Sequence, residues 1–209
     1  MNTADETRLS SSPAPSGRAS TPAVSPGYAN YVLVLLALVY VVSFIDRQIL
    51  AMLMEPIKRE FGVSDTAMGL LTGFAFVLFY TLAGIPIARL ADRASRKHII
   101  AVSLGLWSLM TAASGLARSF AALVATRVLV GIGEAGCNPS AHSLIADYFP
   151  PQRRATALSV YACGVYVGSA LAFLAGGWVL VRYDWRTAFY IVGLPGVVQE
   201  LVRLLVGHL

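Results

Sequence analysis

From Tyr28 onward the chain is built almost entirely of long apolar blocks separated by short polar breaks, and this pattern excludes most folds. Blocks of about 20 apolar residues match the ~30 Å hydrocarbon core of a bilayer when wound as α-helices. Composition agrees: 56% of residues are hydrophobic and 13% charged, with a mean hydropathy of +0.67. A soluble globular domain carries about 25% charged residues. The chain therefore reads as an all-α integral membrane protein.

Six spans are predicted, at 29–54, 65–90, 98–117, 120–147, 155–181 and 187–207. The breaks between them hold helix-stopping or capping residues: Pro56, Gly62 and Ser64 in the first, Pro150 and Pro151 in the fourth. Such short connections predict antiparallel packing of consecutive helices. Residues 1–27 are rich in Ser, Pro, Ala and Thr without an apolar run, and read as a disordered N-terminal tail before the bundle of 28–209. The tail lacks the basic start and the apolar core of about 7–15 residues that a cleaved secretory signal needs.

The net charge of +5 does not point to nucleic acid, because the bases sit at block boundaries rather than on one patch. Their distribution bears on topology instead. With the N-terminus inside, the inner side holds Arg18, Arg89, Arg93, Arg96, Lys97, Arg153 and Arg154. The outer side holds Lys58, Arg59, Arg118, Arg182 and Arg186, and seven against five favours a cytoplasmic N-terminus.

Four ionisable residues fall well inside the spans: Asp46 and Arg47 in the first, Arg127 and Glu134 in the fourth. Each costs about 2.5–3.5 kcal/mol at a helix centre on insertion scales, so each must face protein or water and find a partner. At ~1.5 Å per residue, Asp46 and Arg127 come to similar depth from opposite ends, with Glu134 about 10 Å further along the same helical face as Arg127. The four read as one polar track, a substrate and proton pathway. A purely structural ion pair is the competing interpretation. One acid and one base in each of spans 1 and 4 also echo the inverted three-plus-three repeats of transporters.

Small residues recur at helix-contact spacing, above all Gly164 and Gly168 in span 5, followed by Ala172 and Gly176. Lipid supplies no hydrophobic drive for helix association, so these positions predict close backbone packing. Cys137 and Cys163 read as unpaired core thiols. His98, His142 and His208 are scattered, and neither a metal site nor a nucleotide-binding loop is expected; no cofactor is predicted.

The stretch "ARLADRASRK" resembles the loop between the second and third helices of the major facilitator superfamily, G-x-x-x-D-R-x-G-R-R/K. Asp92, Arg93, Arg96 and Lys97 match, while Ala88 and Ser95 replace the glycines. "FIDRQILA", "GLLTGFAF", "GEAGCNPSAHSLIADYFPPQRRATALS" and "WRTAF" are similar to its spinster-like branch. The resemblance implies a proton- or gradient-driven carrier of a small organic or lysolipid-like solute, working by alternating access in a bacterial inner membrane. It implies that the Asp92 loop is cytoplasmic and acts as a gate, its acid approaching a second bundle. The family has twelve helices, so a chain ending at Leu209 is expected to be the N-terminal half, requiring the C-terminal half or self-association. A non-transporting membrane fragment or regulatory protein is the alternative. An intramembrane serine protease built on Ser169 and His142 is a remoter one, since Ala170 and Leu171 follow Ser169 where a glycine is wanted.

Overall fold

The computed structural model describes residues 25–91 and 93–206, with side chains described as far as Val197. Most of the expected tail, Asp92 and residues 207–209 lie outside the described residues. Among the described residues there is no strand, and six long helical passes account for nearly all of the chain. These are span 1 (Pro26–Met52), span 2 (Asp65–Ala91), span 3 (Arg96–Ser114), span 4 (Phe120–Tyr148), span 5 (Pro151–Arg182) and span 6 (Trp185–Val206). Spans 1, 2, 4 and 5 are long and apolar enough to cross a membrane by length and composition. Their outward faces are apolar too: Val181 is 85% exposed, Leu174 73% and Phe74 63%. In water such a surface would aggregate; in lipid it is solvated.

The ends follow from local chemistry. Span 1 starts at Pro26, inside the expected tail, because Ser25 caps it by accepting a hydrogen bond from the Tyr28 amide at 3.3 Å. Span 2 is capped by Ser64, which accepts from Ala67 N at 3.2 Å. Span 5 begins at Pro151, four residues earlier than predicted, as proline is tolerated at a first helical position. The break after span 1 is not a loop: Met54–Phe61 forms a short helix, ended by Gly62 in the left-handed region at φ 61°. Pro56 separates it from span 1, since a proline ring clashes with the carbonyl four residues earlier, here Met52. Ile57, fully buried, pins the short helix to the core formed with Leu53, Leu123 and Phe189. Arg186 and Trp185 at the start of span 6 close this end. Arg186 donates to both Glu60 oxygens (2.6 and 2.8 Å), and the Trp185 indole donates to Oε2 (2.7 Å).

Packing meets the expectation that consecutive helices pair for spans 3 and 4, but most other main contacts join helices apart in sequence. Span 1 packs on span 5, span 3 on span 6 and span 4, and span 2 on span 4, with lesser contact between spans 1 and 6. Exchanging spans 1, 2, 3 for 4, 5, 6 turns the 1–5 contact into 4–2 and the 3–4 contact into 6–1, leaving 3–6 in place. Small residues select these partners. A Cβ on Gly168 would lie 2.6 Å from the Val41 carbonyl oxygen, and one on Gly164 3.2 Å from that of Ala37. Between spans 3 and 6, a Cβ on Gly193 would lie 2.5 Å from the Ala112 nitrogen. Cys137 is buried, but Cys163 is exposed rather than in the core, because it falls at the interruption of span 5 on its outer side.

Two outcomes follow. Gly168→Leu should cost about 1–3 kcal/mol or more through overpacking against span 1. Gly177→Ala, whose added methyl meets nothing within 4 Å among the described residues, should be neutral, as read by thermal unfolding in detergent. The Arg186 and Trp185 hydrogen bonds hold the Glu60 carboxyl down at about 2. A depressed carboxyl stabilises the fold fully above its unfolded value of about 4.5, and the contribution is lost as pH falls from there through about 2. Glu60→Gln should flatten the dependence of melting temperature on pH across that window.

Candidate functional site

Prolines place the polar residues of span 4 at an interruption. Pro139 forbids a continuous helix through the Ala135 carbonyl, so the pass divides into Phe120–Glu134 and Cys137–Tyr148. Glu134 therefore ends one helix and Asn138 lies in the first turn of the next. Opposite them, Asp46 and Arg47 are consecutive on span 1, where a rotation of ~100° per residue aims them at different partners.

The result is two ion pairs crossing between the same two helices. Arg127 Nη1 and Nη2 donate to Asp46 Oδ1 and Oδ2, both at 3.1 Å, in a bidentate fork. Thr111 on span 3 adds a third donor to Oδ1 at 3.0 Å. This pair is sealed, with Asp46 0% and Arg127 2% exposed. The second pair joins Arg47 to Glu134: Nε donates to Oε2 at 2.7 Å and Nη2 lies 2.5 Å from the same oxygen. Ser43 donates to that oxygen as well, at 3.1 Å. Glu134 Oε1, fully buried, has no hydrogen-bond partner among the described residues. The two carboxylates thus differ: Asp46 has both oxygens engaged, and Glu134 has one left over.

Arg47 is the partly open member, its side chain 26% exposed. Phe44, Phe76 and Tyr80 surround its guanidinium, with ring centroids 5.1–5.2 Å away. Ring faces attract a guanidinium electrostatically. Beside it lies a narrow cleft with room for about one water, lined among others by Tyr40, Ser43, Asn138 and Tyr161. An acid with a free oxygen, a caged base and phenol hydroxyls facing one cleft have the chemistry to exchange a proton and to hydrogen-bond a small polar group.

The Arg127–Glu134 separation expected from their spacing is observed, each having a partner on span 1 instead of bridging to the other. Asp92 lies outside the described residues. Arg93 is exposed in the turn between spans 2 and 3. Arg96 pairs with Asp147 at the end of span 4, and Lys97 Nζ donates to the Tyr28 hydroxyl at 3.3 Å. Gly164 and Gly168 face span 1, away from these loops. Ser169 and His142 do not meet: Ser169 accepts from Gln48 Nε2 at 3.3 Å, and His142 packs edge-on against Tyr161. Sequence reasoning missed Ser43, Tyr40, Tyr80, Thr111, Asn138 and Tyr161. A helical signal existed for some of them: Tyr40, Ser43 and Arg47 follow i, i+3, i+7 spacing, as do Glu134 and Asn138 at i, i+4.

Comparison with known proteins places this geometry in a family. The model of the Major Facilitator Superfamily matches residues 36–205. An MFS-type efflux pump of Mycolicibacterium smegmatis is 43% identical over 173 residues, which are 82% of this chain and 40% of that protein. The D-galactonate transporter of Escherichia coli is 30% identical over 181 residues, 86% of this chain and 42% of that protein. A crystal structure of a bacterial homolog to the human lysosomal transporter Spinster, inward-facing and unoccupied, superposes with a TM-score of 0.79 at 42% identity. The match covers 88% of this chain and 44% of that one. The chain spans less than half the length of these relatives.

Removing one partner of the sealed pair should leave a buried charge uncompensated. Asp46→Ala should lower stability by about 3–5 kcal/mol, and much of the loss should return on adding Arg127→Met. Thermal unfolding of the single and double variants in detergent checks this.

Proposed function

The chain belongs to the Major Facilitator Superfamily, and from that premise we propose that it works as a secondary active carrier, moving a small organic or lysolipid-like solute by proton-coupled alternating access. The reading is of a carrier and not of an enzyme. The observation that carries it is the unequal state of the two buried carboxylates. Asp46 has its oxygens occupied by Arg127 and Thr111, while Glu134 keeps Oε1 unpartnered beside the cleft. A proton added at Oε1 breaks no existing hydrogen bond. It neutralises the carboxylate that holds Arg47, and so releases the guanidinium toward the cleft. Proton binding and solute binding are linked because Arg47 serves one anion at a time.

Asp46, Arg47, Arg127 and Glu134 together form the substrate and proton pathway in this reading, with the Asp46–Arg127 pair as its rigid member. A relative named for D-galactonate, a sugar acid, supports an anionic solute; the phosphate of a lysolipid-like solute would suit the same guanidinium. The permuted contact pattern of the six spans supports an inverted three-plus-three bundle. Alternating access needs a second bundle rocking against this one, supplied by a C-terminal half or by another copy of the chain. In this reading the N-terminus faces the cytoplasm and the membrane is a bacterial inner one; the excess of basic residues at Arg89, Arg93, Arg96, Lys97, Arg153 and Arg154 supports the orientation. There Asp92, Arg93, Arg96 and Lys97 act as an inner gate, and the Arg96–Asp147 pair supports the rigid anchorage such a gate needs.

The test is uptake by the complete carrier in liposomes. Glu134→Gln should abolish gradient-driven accumulation, a loss of about 100-fold or more, while leaving solute counterflow largely intact. Undiminished accumulation by this variant would sink the proposal.

A further inference from the structure

One amide fastens three helices beside the Arg47 cleft. Asn138 Nδ2 on span 4 donates to the Tyr80 hydroxyl of span 2 at 3.0 Å, and Asn138 Oδ1 accepts from the Tyr161 hydroxyl of span 5 at 2.7 Å. Tyr161, 3% exposed, stacks in turn on Tyr40 of span 1 at 4.4 Å and 14°. Tyr80 stacks on Phe76 at 5.8 Å and 21°. Both of those rings face the Arg47 guanidinium. The Tyr80 hydroxyl also lies within reach of the Arg47 guanidinium.

We propose that Asn138 is a positioning residue for Arg47: by holding Tyr80 against Phe76, it keeps the aromatic cage closed around the guanidinium when Arg47 leaves Glu134. The inference rests on the reading that Arg47 and Glu134 separate during the cycle. While the ion pair is intact, Glu134 anchors the guanidinium through Nε and Nη2. Once the carboxylate is neutral, the ring faces of Phe44, Phe76 and Tyr80 are what remains to hold the cation in place. Phe44 is on the same helix as Arg47 and moves with it, whereas Phe76 and Tyr80 belong to span 2, which packs on span 4. Span 2 is the least buried of the long apolar passes, with 6% of its apolar window inside the bundle. A side-chain tie at Tyr80 is therefore how its register against span 4 is fixed at cleft depth. The amide serves both phenols at once, donating to Tyr80 and accepting from Tyr161. Leucine of similar shape offers neither bond. Aspartate offers two acceptors and would force the Tyr80 hydroxyl to turn its own proton inward.

The test reads the exposure of Arg47 directly and needs no solute. The full chain is purified in detergent and pulsed with phenylglyoxal, and modification at each arginine is read by mass spectrometry. Sealed Arg127 serves as the internal control for unfolding. Glu134→Gln mimics the neutral carboxyl. In that background Asn138→Leu should raise the modification rate of Arg47 about tenfold and leave Arg127 unchanged, whereas with Glu134 intact the same substitution should change Arg47 less than about twofold. Tyr80→Phe, which keeps the ring and removes only the hydroxyl, should give the same pattern, and adding it to Asn138→Leu should have no further effect. It also serves where Asn138→Leu prevents folding. Equal effects in both backgrounds, a parallel rise at Arg127, or additive effects of the two substitutions would overturn the proposal. If instead Glu134→Gln retains gradient-driven accumulation in liposomes, the proton reading fails while the cage result stands.

Discussion

Two buried ion pairs between spans 1 and 4 are the constraint around which the bundle is arranged. Taking Asp46, Arg127 and Glu134 out of water is expensive, and ion-pair attraction repays that only where geometry is good. That requirement brings span 1 and span 4 to one register, since Asp46 and Arg127 meet in a bidentate fork. It then draws in span 3, whose Thr111 completes the Asp46 shell, and Ser43, which supports Glu134. Moving either helix by one residue would unpair both couples at once.

The close packing elsewhere serves that register. Spans 1 and 5 approach through Gly164 and Gly168, and spans 3 and 6 through Gly193, so their backbones come near enough to lock without large apolar side chains. Spans 2 and 4 instead meet at Gly131, which faces Phe76. The 1–5, 2–4, 3–4, 1–6 and 3–6 contacts map onto one another when the first three spans are exchanged with the last three. The ion pairs obey the same exchange, an acid of each helix meeting a base of the other. A symmetric frame thus carries an asymmetric site, in which one carboxylate is saturated and the other is not.

That asymmetry comes from where helices are interrupted. Pro139 divides span 4 directly after Glu134 and starts a new helix at Cys137, bringing Asn138 to the cleft. Pro56 likewise ends span 1 and frees Met54–Phe61 to cover the opposite end, where Glu60 meets Arg186 and Trp185. Pro139 thus interrupts a pass from within, while Pro56 marks the boundary between span 1 and a short covering helix.

By itself, the sequence determined the solvent, the all-helical class and the charged residues from which a candidate site is built. Apolar block length answers to bilayer thickness, and an isolated charge in such a block needs a partner wherever it lies, so Asp46, Arg47, Arg127 and Glu134 were legible from composition and insertion cost alone. The similar depth of Asp46 and Arg127 followed from helical rise. Helix neighbours were not legible, because loop length fixes only which ends are near, while partners are chosen by small residues on faces that several helices could use. The helix Met54–Phe61 looked like a loop because its charges are amphipathic at the short range of two turns, and only burial of Ile57 reveals it. Tertiary structure alone paired Arg47 with Glu134 and gathered Tyr40, Tyr80, Asn138 and Tyr161 at the cleft. Those side chains are polar enough to be unremarkable in a membrane helix, and their meaning comes from hydrogen bonds between residues as far apart as 58 positions, which no local pattern encodes.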